Sequence, residues 1–210
     1  MLKNILYVAI AAPLALSSAQ TLADSPWSIK LGTSYISPKS DNGDLLGGAL
    51  KAEVSSEIGL TPSIEYAFTP NIVAELLLAT PYEHDVEVTG GALVDAEVAS
   101  FQHLPPTLSV KYVFTPEAAF SAYVGVGINY TLVFEEETKG VLDEDTLKGD
   151  DSFGLAVNAG LQYLFPDSPW GISADIRYID IESDLSLNGE DIGTLEVDPV
   201  VMGVSLSYSF

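Results

Sequence analysis

From Val124 to Phe134 the residues Val124, Val126, Ile128, Tyr130, Leu132 and Phe134 are large and apolar, and most of those between them are small or polar. A period of two is the period of a β-strand, whose successive side chains point to opposite faces. The alternation recurs along the chain and predicts eight strands: Trp27–Ser37, Ile58–Phe68, Ile72–Thr80, His103–Phe114, Phe120–Phe134, Phe153–Phe165, Trp170–Ile181 and Pro199–Phe210. One face of these strands is large and apolar; the other is built mainly from Gly, Ser, Ala and Asn. A secreted β-sandwich also alternates, but it buries its large residues against a second sheet. Here the large face suits lipid and the small face suits a narrow lumen.

The connections separate these two architectures further. Strands two and three are joined by "TPN", four and five by "TPEAA", six and seven by "PDSP". The remaining connections are long. Short turns on one side and long loops on the other are the pattern of an all-β, eight-stranded antiparallel outer-membrane barrel, with both termini on the periplasmic side. Aromatic residues gather near strand ends, among them Tyr66, Phe68, Tyr112, Phe114, Tyr163, Phe165, Trp170, Tyr208 and Phe210. That clustering matches an interfacial girdle.

Charge falls outside the strands. Most of the 30 acidic residues lie in the windows 41–57, 83–97, 135–151 and 180–198, and the formal net charge is -22. A nucleic-acid partner is excluded by sign, since phosphate binding needs basic residues. The windows read as solvated extracellular loops. "DEDTLKGDD" lacks the ligand spacing of an EF-hand. No cofactor or metal motif is visible. The chain has no cysteine, which excludes disulfides and thiolate chemistry. At the start, Lys3 precedes the apolar run Ile5–Leu16 and the small residues of "SSAQTLA". Residues 1–23 therefore read as a secretory signal peptide, with cleavage after Ala19 or Ala23, and residues 24–210 as the barrel. No other stretch is long and apolar enough for a transmembrane helix.

Parity assigns the lumen. Lys30, Glu65, Glu75, Lys111, Asp175 and Arg177 all lie between lipid-facing residues, so three positive and three negative charges point inward. A barrel of this size is only wide enough for its own side chains. Unpaired charge is costly there, so the six are expected to pair low in the lumen and close it to a continuous pore. Val73, Leu77, Ala79, Ile179 and Ile181, with Tyr123 lower down, give an apolar lining. "GGALKAEVSS" (47–56) and "GGALVDAEVAS" (90–100) form a near-repeat that suits the mouth. An enzyme would need a nucleophile with a base. The only histidines are His84, read as a solvated loop residue, and His103, with no G-x-S-x-G nearby.

Strand four carries a fault. Pro105 and Pro106 interrupt "HLPPTLSVKYVF", and proline cannot donate to a β-ladder. Nine residues above the turn after Phe114, Pro105 stands roughly 23 Å up, near the outer edge of an apolar band about 25 Å tall. One reading is a strand that ends at the rim.

Several stretches resemble the OmpW family of eight-stranded outer-membrane barrels, a group that includes AlkL-type hydrocarbon-uptake proteins. They are "AELLLATPYEHDV" (74–86), "HLPPTLSVKYVF" (103–114), "YVGVGINYT" (123–131), "DDSFGLAVNAGLQYL" (150–164), "DIRYIDIESD" (175–184) and "VDPVVMGVSLSYSF" (197–210). The resemblance implies passive, non-enzymatic uptake of small hydrophobic molecules across the bacterial outer membrane, with release sideways into its lipids. On that reading His103, Pro105 and Pro106 mark a lateral exit. The terminal aromatic, Phe210, suits recognition by the barrel assembly machinery. The competing expectation is a structural, adhesive or receptor barrel with an inert lumen.

Overall fold

A computed structural model of the chain describes residues 25–90, 93–143 and 145–210. The expected signal peptide lies outside the described residues. Eight strands make the wall: β1 (Trp27–Ser37), β2 (Glu57–Ala67), β3 (Ile72–Leu77, continued by Tyr82–Gly90), β4 (Leu93–Leu104, continued by Thr107–Val113) and β5 (Phe120–Thr138). They are followed by β6 (Ser152–Leu164), β7 (Trp170–Ile179, continued by Glu182–Leu187) and β8 (Glu190–Glu196, continued by Val200–Ser209). Each strand pairs antiparallel with its neighbours in sequence. β8 returns to β1, with Leu31 opposite Leu206, and closes the barrel. Closure leaves no edge strand, which is what lipid demands of a sheet that spans it.

In the lower barrel the expected parity holds. Leu31, Ile64, Leu76, Leu108, Val126, Leu155, Ile176 and Met202 are exposed on the outer surface. Ser63, Ser109, Ser121, Asn158 and Ser173 are buried on the inner one. At the turn end, edge-to-face aromatic pairs band the wall: Trp27–Tyr66, Tyr112–Phe114, Tyr163–Phe165 and Trp170–Tyr208. Their amphipathic rings suit the headgroup level. The last residue, Phe210, donates its N–H to the Trp27 carbonyl at 3.1 Å and so ties the end of β8 to β1.

The acidic windows differ from the expectation of loops. The second and fourth are upper halves of wall strands, forming the β3–β4 and β7–β8 hairpins. The first contributes Leu50–Val54, which pairs with upper β3. The third contributes Leu147–Gly149, which pairs with upper β7. In these upper halves the apolar residues change face. Ile72 and Leu76 point outward on lower β3, but Tyr82, Val86 and Val88 are buried on upper β3, with Glu83 and Glu87 exposed between them. On β7 the exposed Ile176 and Tyr178 give way to buried Ile179, Ile181 and Leu185, alternating with exposed Glu182 and Asp184. Lipid surrounds the lower wall and water the upper one, so the favourable side for apolar surface reverses. The inversion marks the outer limit of the apolar band. It also creates a hydrophobic core above the band, where Leu45, Ala52, Val86, Phe101, Leu185 and Leu195 meet.

Candidate functional site

The interior is stratified. The lowest layer is ionic. Glu65 receives Lys30 at 2.8 Å and also Lys111, while Glu75 receives Lys111 at 3.2 Å and Arg177 at 2.8 Å. Arg177 adds a hydrogen bond to Ser109 Oγ at 3.2 Å. These five side chains are buried. Asp175, the sixth expected member, makes no direct ion pair or hydrogen bond among the described residues. It lies beside Lys30 and Arg177 in a small polar recess, so its charge balances the layer from a distance. Tyr123 belongs to this layer and corrects the expectation of an apolar lining residue. Its ring lies 4.8 Å from Lys111 Nζ and 5.5 Å from Lys30 Nζ, an arrangement in which the ring face attracts the ammonium. Two glycines make room for it all. A Cβ on Gly160 would stand 2.4 Å from Tyr123 Cζ, and one on Gly125 would stand 2.9 Å from Lys111 Cγ.

Val73 is also lower than expected. It pairs with Lys111, two residues nearer the turn than Glu75. Leu77 faces the top of the ionic layer. Above it comes a polar layer. Ser34 and Thr61 hydroxyls lie 3.0 Å apart, and Asn129 donates to Thr107 Oγ1 at 3.0 Å and accepts from Thr131 Oγ1 at 2.7 Å.

The prolines sit at this height, and they interrupt β4 without ending it. Across them the register between β4 and β5 is unchanged: Thr107 faces Asn129 and Leu104 faces Leu132. The Pro106 carbonyl still accepts from the Tyr130 N–H at 3.1 Å and from Asn129 Nδ2 at 3.2 Å. The β3 side is different. Leu77 pairs with Thr107 below and Tyr82 with His103 above, so four residues of β3 span three of β4. Leu78 and Thr80 turn their N–H groups to β2, onto the Pro62 and Leu60 carbonyls, each at 2.9 Å. The next bonded pair along the ladder would be Ala79 with Pro105. Pro105 has no N–H, its carbonyl accepts from Thr107 Oγ1 at 3.1 Å, and Ala79 has no backbone bond among the described residues. The unbonded stretch therefore lies between β3 and β4, and Pro105 faces it while Pro106 faces the intact β5 side.

Over this gap stand four buried rings: Tyr82, His84, Phe101 and His103. His103 packs edge-on to Tyr82 at 5.6 Å and lies 4.8 Å from His84, centroid to centroid. His84 is wholly buried, which corrects its reading as a solvated loop residue. Its apolar neighbours and inward parity explain the burial, and the alternation in "YEHDVEV" was the signal for it. His103, Ile181, Val86, Val98, Leu185 and Leu195 then line an apolar cavity of about 100 Å³ in the upper core. Ile179 packs in the same core, below the lining. The near-repeat contributes Leu50 and Leu93 to that lining. Two lysines clasp the rim: Lys139 to Asp85 at 2.8 Å and Glu97 at 2.5 Å, and Lys39 to Asp198 at 3.1 Å.

The chain is similar in sequence and fold to known outer-membrane barrels. The sequence profile of the OmpW family matches residues 26–210. Outer membrane protein W of Vibrio cholerae is 34% identical over 206 residues, covering 93% of this chain and 94% of that protein. Outer membrane protein AlkL of Ectopseudomonas oleovorans is 30% identical over 170 residues, covering 78% of this chain and 72% of that protein. The crystal structure of OprG from Pseudomonas aeruginosa superposes with a TM-score of 0.77 at 29% identity, covering 89% of this chain and 96% of that one. The protein is thus a barrel of the bacterial outer membrane and not an enzyme. It belongs to the OmpW family.

Proposed function

We propose that this barrel takes up small hydrophobic molecules passively, with the apolar cavity as entry chamber and the β3–β4 gap as sideways exit to the outer leaflet. The observation that carries the reading is a juxtaposition. An apolar cavity lies above a floor of buried ion pairs and beside a stretch of wall without hydrogen bonds. Each methylene that leaves water for such a chamber gains about 0.8 kcal/mol. The floor opposes further descent, because parting a buried, hydrogen-bonded pair costs about 3–5 kcal/mol. The gap offers an easier way out, since no ladder bond has to break there.

The size of the chamber favours slender guests. Its volume of about 100 Å³ falls short of the roughly 150 Å³ of an apolar cavity that takes benzene. An alkyl chain enters end-on; a fused aromatic ring requires the upper hairpins to part. Lipid contact at the exit and an exposed Phe210, offered to the assembly machinery, complete the proposed partners. The test is uptake of a medium-chain alkane by deletion cells, with and without the gene restored. Faster uptake in the restored cells is expected. Equal uptake would leave a structural or adhesive barrel with an inert lumen.

A further inference from the structure

The ring cluster above the gap contains an unmet demand. His103 is wholly buried, and among the described residues neither of its ring nitrogens has a hydrogen-bond partner. His84 Nδ1 lies 2.5 Å from the Ser55 carbonyl, which only accepts, so the His84 proton sits on Nδ1. That leaves Nε2 as a lone-pair acceptor, and it too has no partner among the described residues. Burial depresses the basicity of both imidazoles, holding His103 at about 3, so both are neutral at pH 7. His103 therefore presents one N–H donor and one acceptor to a chamber lined mainly by apolar side chains, and His84 Nε2 stands behind it as a further acceptor. Buried polar groups in folded proteins are normally paired, and an exception calls for an explanation.

We propose that His103, backed by His84, binds the hydroxyl of a hydroxylated hydrocarbon, a long-chain alcohol, whose alkyl chain enters the cavity. This deepens the uptake reading above and rests on it. The class follows from the count of donors and acceptors. A hydroxyl both donates and accepts, so it matches a neutral imidazole at either nitrogen. A carboxylate only accepts and finds a single N–H. An alkane leaves every ring nitrogen unpaired. His103 lines the cavity itself, and Tyr82 and Phe101 wall the rings at 5.6 Å and 5.9 Å from it. The hydroxyl is then held at the lower end of the chamber, next to the gap. One such hydrogen bond makes an alcohol bind about tenfold tighter than the alkane of equal length.

His84 and His103 are the only histidines in the chain, so the imidazole nitrogen spectrum of the whole barrel contains two rings. The experiment places ¹⁵N-histidine-labelled barrel in lipid nanodiscs and titrates decane, 1-decanol and decanoate at equal mole fraction in the lipid. The expected result is a shift of the His103 nitrogens with decanol alone and roughly tenfold tighter binding of decanol than decane. H103F is expected to lose the preference for decanol over decane. Equal binding of decane and decanol with unmoved nitrogens overturns the inference while the uptake reading stands, as it would if water satisfied the rings. Binding of neither compound overturns both. The wild-type spectrum decides the matter even if H103F fails to fold.

Discussion

Replacing Pro105 with valine should rebuild the missing rung between β3 and β4. The lower ladder places residue 105 opposite Ala79, in the alternation where paired residues exchange two backbone bonds. Valine supplies an N–H for the Ala79 carbonyl, and the Ala79 N–H regains the carbonyl of residue 105. At about 1 kcal/mol net per bond, closing the gap gains about 2 kcal/mol. If every exit event requires that stretch to part, the open fraction falls roughly 30-fold. Uptake of labelled alkane by cells carrying P105V should slow by up to that factor, with P106V as the comparison. Pro106 already serves β5 through its carbonyl, so P106V should leave the rate nearly unchanged. Heat-resistant migration of the folded barrel on a gel checks assembly of both variants. If P105V folds, gains thermal stability and transports at the wild-type rate, the gap is not the exit.

Two further perturbations test the layers on either side. R177M leaves Glu75 with Lys111 alone in a buried site and should destabilise the barrel by about 3–5 kcal/mol; thermal unfolding in lipid measures it, and an unchanged midpoint would remove the ionic layer from the account. Acid should loosen the upper β3–β4 hairpin. His103 is held at about 3 and returns to an ordinary value near 6.5 when the hairpin opens, so between those values the open state binds more protons than the closed one. Stability is then full above pH 6.5 and is lost as pH falls towards 3. From pH 7 to pH 5 the opening equilibrium should rise about 25-fold. Hydrogen exchange of the hairpin amides reads this, and H103F should flatten the pH dependence. His84 shifts in the same direction and adds to the effect, with Asp85 partly opposing it.

The lower barrel was legible because lipid enforces one rule on every strand. Parity alone placed Lys30, Glu65, Glu75, Lys111 and Arg177 inside, since nothing charged is tolerated on the other face. It did not say which charges touch. Asp175 shares their parity yet stands apart, and Tyr123 sits between two ammonium groups because Gly160 opposite leaves the space. Height is harder to read than face: Val73 pairs with Lys111, lower than its expected place in the apolar lining. The upper barrel departs from the expectation of loops because acidity marks the water-facing side of a strand as readily as it marks a loop. "YEHDVEV" and "DIESDLSL" alternate as strictly as any membrane strand, with acids in the outward places. Water outside and a core inside produce that inverted pattern. The prolines announced a fault in β4, but only the pairing of Leu78 and Thr80 with β2 shows which neighbour loses contact.

The lateral route is tested most directly by locking the gap. The chain has no cysteine of its own, so the double variant A79C/P105C carries a single pair across it. Alkane uptake is measured on the same cells with the pair oxidised and then reduced. The account predicts uptake that nearly stops on oxidation and returns with reductant to the slowed rate of P105V, since the P105C substitution also restores the missing N–H. Equal uptake in both states, with the disulfide shown to be formed, would contradict sideways release between β3 and β4.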